Sequence, residues 1–524
     1  MPKSRTIPAL LAEQAQVYGD FEALVGGDQR YTFRTLRERV RAFAKGLTTL
    51  GVGKGSRVAI LLGNKAEWVI ADLAIISLGG VMIAVNTWVT TRELAYILRH
   101  SDADTLIFAG RFLKYDYAAM LAELEPHAES LPLLERFIHV GEHGYRGSIP
   151  FDDIYQRGET VDDAVIDAAE AAVRPDDVAY VLYTSGSTST PKGAQMQHYG
   201  LVENSFGIGS RMHVEPGDRV WLAVSLFWGL GCENAMFNLF THGGCVVLQE
   251  HFEPGEALRL IEKERCTIYY GMPHMAQAMY DHPDRGKRDL SSLRGGGTLG
   301  SPAQFQRLIE MGAREICHIY GLTETYGNCN VTDGRLDPRD KVFSTIGRPV
   351  DGVIQRIADP QTMQPLPTGE IGEIQLKRYV TMGYYKDEDK NREAFTDDGY
   401  FRTGDLGFYD EDGYLHFRGR MKEMIKTGGL NVAPAEVESV LVRQPGVKMA
   451  FVVGLPDSER GEIVSAVIVP EGISGDDLRD RIDGALRAEV SSFKVPRTYV
   501  FVDEHDLPLT TSGKVHKQRL HELF

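Results

Sequence analysis

Apolar residues in the first part of the chain follow two different spacings. From residue 33 to residue 47 they recur every three or four positions and predict one face of an amphipathic helix, formed by Phe33, Leu36, Val40, Phe43 and Leu47. The runs RVAILL, from Arg57, and TLIFAG, from Thr105, are short and continuously apolar, which is typical of buried strands. Because such strands and helices alternate, the pattern predicts an α/β fold with mostly parallel sheets that carry helices on their faces.

Two further apolar runs each lead into a loop rich in glycine and threonine. VAYVLYT begins at Val178 and continues into SGSTSTPKG, and ICHIY begins at Ile316 and continues into GLTETYG. In parallel sheets, ligands bind beyond the carboxyl ends of the strands, where such loops gather. The sequence therefore predicts a ligand-binding edge formed by these two loops.

The amino-acid composition of the sequence changes near residue 400. The stretch GYFRTGDLGFYDEDGYLHF, from Gly399, is dense in glycine, aspartate and aromatic residues. The following part, about a hundred residues long and so the size of a small domain, contains two strand-like runs and one amphipathic helical segment. We therefore predict two domains. Residues 1–421 form a large α/β domain with mostly parallel, doubly wound sheets flanked by helices, and residues 422–524 form a small α+β domain.

Composition and charge narrow the class of protein. A chain of 524 residues, 43% of them hydrophobic and 25% charged, is typical of a soluble protein with more than one domain. The formal net charge of -16 argues against nucleic-acid binding, which requires a basic face. The five cysteines show no CxxC spacing, and we find no signal-peptide pattern and no long apolar run. These features predict a cytoplasmic protein without a membrane span.

The loop YTSGSTSTPKGA, from Tyr183 to Ala194, combines hydroxyl side chains, glycines and one lysine. Glycines let backbone N–H groups approach an anion, hydroxyls donate to phosphoryl oxygens, and Lys192 supplies a positive charge. The order of residues differs from a Walker A loop, in which serine or threonine follows the lysine directly. On these residues alone, the loop is either a phosphate-binding loop or a flexible linker.

The motifs taken together resemble the adenylate-forming superfamily, which includes the acyl-CoA synthetases. The usual phosphate loop of that superfamily, YTSGTTGxPKG, is similar to residues 183–193, where Ser189 takes the place of a glycine. Other motifs follow in the family's order: YGLTET from Tyr320, STIGRP from Ser344, YFRTGD from Tyr400, GRMKEMIKTGG from Gly419 and TSGK from Thr511. The resemblance implies a large adenylation domain, a small mobile C-terminal domain and two reactions. ATP and a carboxylate give an acyl-adenylate and pyrophosphate, and the acyl group then passes to a thiol with release of AMP.

The resemblance also implies roles for single residues. Lys514, Lys192 and Glu324 become the catalytic residues, and Thr184 and Glu324 become the magnesium contacts. The expected contacts to ATP and CoA are Thr184, Ser185, Gly186, Ser187, Thr188, Lys192, Gly297, Thr298, Tyr320, Gly321, Thr323, Asp405, Arg420, Lys426, Gly428, Gly429 and Lys514. If the surrounding motifs are ignored, Glu324 resembles an ordinary surface glutamate and Asp405 resembles the carboxylate of an Asx turn.

The resemblance also implies that the small domain moves between the two reactions. The lysine that promotes adenylation, Lys514, would obstruct attack by the thiol, so the small domain is expected to rotate about Lys422, which matches the family's hinge position. Two positions depart from the usual pattern. Thr298 stands where alanine is usual, and Lys517 stands where arginine is usual, which keeps the charge but loses the bidentate fork.

The pocket for the acid shows the largest departure from the family. Many relatives have histidine after the aromatic residue of a PLFH-type segment, whereas this chain has Trp228 after Phe227. The residues expected to line the pocket are Phe227, Trp228, Tyr270, Met272, Gly297, Tyr326 and Gly327. This wall is mostly apolar and offers no obvious acidic partner for the ammonium group of an amino acid. The expected substrate is a fatty, alicyclic or aromatic carboxylic acid.

Three functions follow from these residues. The first is an AMP-forming acid–CoA ligase that uses ATP, Mg²⁺ and CoA, and the second is a free-standing enzyme that loads an acyl group onto the phosphopantetheine of a carrier protein. The third is a nucleotide-binding protein that has lost catalysis, which the joint presence of Lys192, Glu324, Asp405, Arg420 and Lys514 argues against. The expected partners are the small-molecule acid, ATP and CoA, with a homodimer possible.

Overall fold

The structure is a computed structural model that describes residues 2–184, 191–427, 430–457, 460–472, 475–490, 492–509 and 515–524. Backbone contacts divide it into two compact units. Unit 1 comprises Met1–Gln355 and Leu376–Phe401, and unit 2 comprises Arg356–Gln375 and Arg402–Phe524. The domain boundary expected at residue 421 stays a prediction.

Unit 1 contains two large sheets. In spatial order, the strands of the first are Arg348–Pro349, Gly327–Val331, Glu315–Leu322, Gly295–Thr298, Ile268–Tyr270, Arg219–Leu222, Cys245–Leu248, Glu22–Gly26 and Gln29–Thr32. Those of the second are Lys192–Gln197, Val178–Thr184, Val81–Ala84, Arg57–Leu61, Thr105–Ala109, Arg136–Val140 and Ile149–Pro150. A small hairpin joins Arg111–Phe112 and Tyr115–Asp116. Pairing is parallel in the middle of both large sheets and antiparallel at edges, which confirms the predicted α/β class.

Helices accompany these strands along the chain. The α-helices of unit 1 are Ile7–Val17, Phe33–Thr49, Ala66–Ser77, Thr91–His100, Tyr117–Glu123, His127–Ser130, Phe151–Gly158, Asp163–Ala172, His198–Arg211, Met236–Phe240, Pro254–Lys263, Pro273–Asp281, Pro302–Glu310, Arg339–Ser344 and Glu388–Ala394. One π-helical turn, Leu230–Ala235, precedes Met236–Phe240. Among the described residues, no helix is both long enough and apolar enough to cross a membrane.

The predicted amphipathic helix forms at Phe33–Thr49 and is confirmed in detail. The apolar face predicted from the spacing is fully buried. Thr32 caps the helix, because its side chain accepts a hydrogen bond from the backbone N–H of Thr35. The helix therefore begins where a side chain pairs with one of its first free N–H groups. Packing of its apolar face into the core stabilises it.

Most residues of a four-stranded and a five-stranded sheet belong to unit 2. The four-stranded sheet has the order Ile354–Ala358, Gly372–Lys377, Phe401–Tyr409 and Leu415–Arg420. The five-stranded sheet is formed by Leu430–Val432, Ile425–Thr427, Gly461–Pro470, Val447–Asp457 and Thr498–Phe501. Two α-helices, Pro434–Leu441 and Gly475–Glu489, complete the unit. Mixed pairing with helices of its own agrees with the α+β class predicted for the C-terminal part.

A buried acid in the core of unit 1 predicts a pH-dependent stability. Asp72 is fully buried and accepts a hydrogen bond from the Tyr180 hydroxyl at 2.7 Å. Burial raises the pKa of Asp72 from 3.8 to about 8, and the bond from Tyr180 lowers it in part. The folded state therefore retains a proton that the unfolded chain loses, so the contribution of Asp72 to stability is complete below pH 3.8 and is lost as the pH rises toward about 8.

We expect Asp72→Asn to flatten this dependence, because the amide stays neutral and keeps an oxygen for Tyr180. The free energy of unfolding of the wild type is expected to fall by at most about 1.4 kcal/mol more per pH unit than that of the variant. Thermal unfolding measured at pH 5 and pH 8 checks this. Parallel pH dependences for the two proteins would contradict it.

Candidate active site

Two antiparallel strands bring the ends of the polar loop together. Thr184 ends the strand Val178–Thr184, Lys192 begins the strand Lys192–Gln197, and the two residues are register partners. The expected phosphate contacts between them lie outside the described residues: Ser185, Gly186, Ser187 and Thr188. The register fixes where the chain enters and leaves this loop.

Glu324 faces the start of the loop. It lies in the short 3-10 turn Thr323–Thr325, which follows the strand Glu315–Leu322. Its Oε1 accepts a hydrogen bond from Thr184 Oγ1 at 3.5 Å and another from the Tyr384 hydroxyl at 2.9 Å. The two residues expected to contact magnesium therefore lie side by side, and a carboxylate beside a hydroxyl provides the hard oxygen atoms that Mg²⁺ prefers.

Tyr384 connects this carboxylate to the lysine. Lys192 Nζ lies 5.1 Å from the centroid of the Tyr384 ring, which is a cation–π contact. Burial raises the pKa of the Tyr384 hydroxyl, and the charge of Glu324 raises it further, so the phenol remains a hydrogen-bond donor. The N–H of Tyr385 donates to the carbonyl of Gly193 at 2.8 Å, which holds this segment against the strand that begins at Lys192.

The residues after Glu324 form a tightly packed turn. Tyr326 and Gly327 both have positive φ, and a side chain on Gly327 would collide with Asn234. The Tyr326 hydroxyl accepts from the N–H of Gln197 at 2.9 Å, and its ring covers Gly200, where a Cβ would collide with it. Tyr326 thus has its ring in the core, and its place in the pocket wall stays a prediction.

The expected adenine-side residues lie on two neighbouring strands. Gly297 and Thr298 end the strand Gly295–Thr298, which runs parallel to the strand that carries Tyr320 and Gly321. Thr298 Oγ1 donates to the carbonyl of Gly271 at 2.9 Å. These positions reach the same edge of the sheet as Thr323 and Glu324, and their contacts to a nucleotide stay predictions.

Three aromatic rings form a cluster near this edge. The ring centroids of Phe227 and Trp228 are 5.2 Å apart, and Trp88 lies 5.3 Å from the first and 5.5 Å from the second. All three pairs pack edge to face, an arrangement favoured by the quadrupoles of the rings. Tyr270 is buried, and the side-chain amide of Asn328 donates to its hydroxyl. Met272 caps the helix Pro273–Asp281.

Unit 2 brings the two expected ribose contacts together. Asp405 and Arg420 are register partners on the antiparallel strands Phe401–Tyr409 and Leu415–Arg420. Arg420 Nε lies 3.3 Å from Asp405 Oδ1, with Asp405 buried and Arg420 exposed. An exposed guanidinium beside a buried carboxylate leaves donors available on the solvent side.

The remaining expectations for unit 2 are only partly described. Lys422 lies in the 3-10 turn Met421–Glu423, and the N–H of Lys426 donates to Glu462 Oε2 at 2.6 Å. Lys517 Nζ lies 2.8 Å from Glu438 Oε1. Gly428, Gly429 and Lys514 lie outside the described residues.

Comparison with known proteins decides the family. The profile of the AMP-binding enzyme matches residues 11–385, and that of the AMP-binding enzyme C-terminal domain matches residues 436–514. The chain belongs to the AMP-binding enzyme family. This confirms the resemblance to the adenylate-forming superfamily.

Relatives that match nearly the full length of this chain belong to the same family. The chain is 35% identical to the putative acyl-CoA synthetase YngI of Bacillus subtilis, over 99% of this chain and 96% of that protein. It is 32% identical to the mitochondrial medium-chain acyl-CoA ligase ACSF2 of Danio rerio, over 99% and 88%. The crystal structure of the anthranilate CoA ligase AuaEII with anthranoyl-AMP superposes with a TM-score of 0.86 at 28% identity, over 100% and 98%. This AMP-binding enzyme is accordingly an AMP-forming acyl-CoA ligase that uses ATP and CoA.

Sequence reasoning missed three residues of this AMP-binding enzyme. Tyr384 contacts two of the expected catalytic residues, and its only signal was a pair of tyrosines after Gly383. Trp88 joins the aromatic cluster from a segment with no motif. Glu233, in the π-helical turn, is a buried acid that belongs to none of the motifs.

Proposed function

We propose that the edge formed by Thr184, Lys192 and Glu324 binds the triphosphate of ATP. The observation that carries this proposal is the contact of Glu324 with both Thr184 and Tyr384, together with Lys192 over the Tyr384 ring. Thr184 and Glu324 would hold the magnesium ion, and Lys192 would face the β and γ phosphates. A magnesium ion held there would neutralise negative charge on the phosphates.

The chemistry that follows is a substitution at the α-phosphorus. A carboxylate oxygen of the acid forms a bond to that phosphorus as the bond to the pyrophosphate oxygen breaks, so pyrophosphate leaves with its electron pair. Lys514 is proposed to stabilise the negative charge of this step, and Asp405 with Arg420 to hold the ribose. In the second step the thiol sulfur of CoA, having lost its proton, bonds to the acyl carbon, and AMP leaves.

We further propose that the acid carries a ring and that the cluster of Trp88, Phe227 and Trp228 forms its pocket wall. Edge-to-face rings present flat apolar surfaces that suit a planar or alicyclic group. The solved anthranilate CoA ligase and the o-succinylbenzoate CoA synthetase from Bacillus subtilis act on ring acids by name, which supports the proposal.

A change of Trp228 tests the position of the wall. We expect Trp228→Ala to open space behind the acyl carbon and to raise kcat/KM for long straight-chain acids relative to short or ring acids by about tenfold, because each extra buried methylene contributes about 0.8 kcal/mol. The measurement is the rate of acyl-CoA formation with acids of increasing length. The KM for ATP serves as the control and should stay unchanged. An unaltered length profile would place Trp228 outside the pocket.

Two expectations remain predictions. A cytoplasmic location agrees with five buried cysteine thiols, all of which lie in the described part of the chain. The homodimer considered from the sequence has no further support here.

A further inference from the structure

The π-helical turn Leu230–Ala235 buries a carboxyl group without satisfying it. Glu233 has 0% exposure, and within the described part of the chain neither Oε1 nor Oε2 has a hydrogen-bond partner. An unsatisfied buried polar group costs about 1–3 kcal/mol of stability, more when it is charged. Proteins rarely retain such a group without a use for it, and π-helical turns occur frequently at functional sites.

The position of this carboxyl relates it to the acid pocket. Gly229 directly follows Trp228 of the aromatic cluster, and a Cβ on Gly229 would collide with Glu233 Oε2. The same Cβ would lie 3.5 Å from Thr323 Oγ1, and Thr323 directly precedes Glu324. The carboxyl of Glu233 thus lies close to Gly229, which adjoins Trp228 of the aromatic cluster in sequence and Thr323 of the proposed triphosphate edge in space.

The charge of the surroundings restricts the ligand. Burial raises the pKa of Glu233 well above its ordinary value, and the Glu324 carboxylate raises it further. Burial disfavours the ionised form of the side chain, and the protonated form offers a carbonyl oxygen as acceptor and an O–H as donor. A neutral ligand group with an N–H or O–H, such as a hydroxyl or an aromatic amine, can donate to that carbonyl oxygen.

We propose that Glu233 determines substrate specificity by accepting a hydrogen bond from a neutral hydroxyl or amino group on the ring of the acid. This inference rests on the proposed function, because it assigns the acid to the pocket beside the aromatic cluster. Glu233 would add a hydrogen-bonding group to an acid pocket whose other expected residues are mostly apolar. A bound ligand would supply the partner that the carboxyl lacks in the protein alone.

The inference is tested with pairs of acids that differ only in the donor group. The full chain, with ATP and Mg²⁺, is assayed for acid-dependent ATP–pyrophosphate exchange with benzoate, the three hydroxybenzoates and the three aminobenzoates, and with cyclohexanecarboxylate and its hydroxylated forms. For at least one position of the donor, we expect kcat/KM to exceed that of the parent acid by about 10- to 100-fold.

Two variants of Glu233 and one matched control complete the experiment. Glu233→Leu should remove the preference, because leucine fills the space without an acceptor, while Glu233→Gln should keep most of it through its amide oxygen. Asp72→Asn removes another buried acid of unit 1, one bonded to Tyr180, and should leave the preference unchanged. Should the leucine variant fail to fold, Glu233→Met takes its place, because methionine is flexible, of similar length and offers no strong acceptor.

The outcomes separate the two proposals. Exchange with the parent acids at rates equal to those of every donor-bearing acid would overturn the role of Glu233 and leave the ligase pocket intact. A preference that survives Glu233→Leu would overturn it as well. Absence of exchange with every acid would overturn the ring-acid pocket itself and the inference with it.

Discussion

Lys514→Ala is expected to abolish the first reaction of this ligase and spare the second. A lysine that meets the charge on the transferred phosphoryl group is required only while that charge develops, so its loss should slow adenylate formation by about 10²- to 10³-fold. Conversion of supplied acyl-adenylate to acyl-CoA needs no such charge and should proceed within a few-fold of the wild-type rate. Both half-reactions can be followed separately, by acyl-AMP formation without CoA and by acyl-CoA formation from synthetic acyl-AMP.

A surface lysine of the same unit provides the control. Lys448 lies 2.6 Å from Glu504 in an ion pair of half-exposed side chains, and Lys448→Ala should change neither half-reaction. Equal loss of both half-reactions in Lys514→Ala would contradict a role confined to adenylation.

Glu324→Gln should slow adenylation by a comparably large factor, because it weakens the binding of magnesium. The amide keeps the size of the side chain and a bond to Tyr384 but loses the charge that holds a divalent cation beside Thr184. We expect kcat for adenylation to fall about 100-fold or more, and the concentration of Mg²⁺ needed for half-maximal rate to rise. Titrations of Mg²⁺ at saturating ATP measure both quantities.

Glu256, paired with Arg259 on the helix Pro254–Lys263, offers a matched glutamate outside the site. Glu256→Gln should leave the magnesium titration unchanged. A Glu324→Gln enzyme with an unchanged requirement for magnesium would show that Glu324 is not the metal contact.

The sequence predicted the elements whose periodicity is regular. The apolar face of Phe33–Thr49 is buried as its spacing required, and the strand runs beginning at Arg57 and Thr105 both lie inside the second large sheet. Thr184 and Lys192 were expected to belong to one polar loop, whereas the strand Lys192–Gln197 and its antiparallel pairing with Val178–Thr184 were not predicted. The local sequence pattern is sufficient to predict structure where residues that are close in sequence are also close in space.

Other parts of the site depend on contacts between distant segments. Tyr384 reaches Glu324 from 60 positions away, and Trp88 reaches Phe227 from a segment without a motif. Glu233 was overlooked because it lies outside every motif that carries the family resemblance. Periodicity does not reveal that a π-helical turn places this carboxyl beside Gly229.

In the proposed function, one site joins an organic acid to AMP before CoA is used. ATP–pyrophosphate exchange with a panel of carboxylic acids in the absence of CoA tests this order of reactions. We expect exchange that depends on the acid, with AMP released in quantity only after CoA is added. Exchange that no acid supports, or AMP formation that requires CoA from the first step, would contradict it.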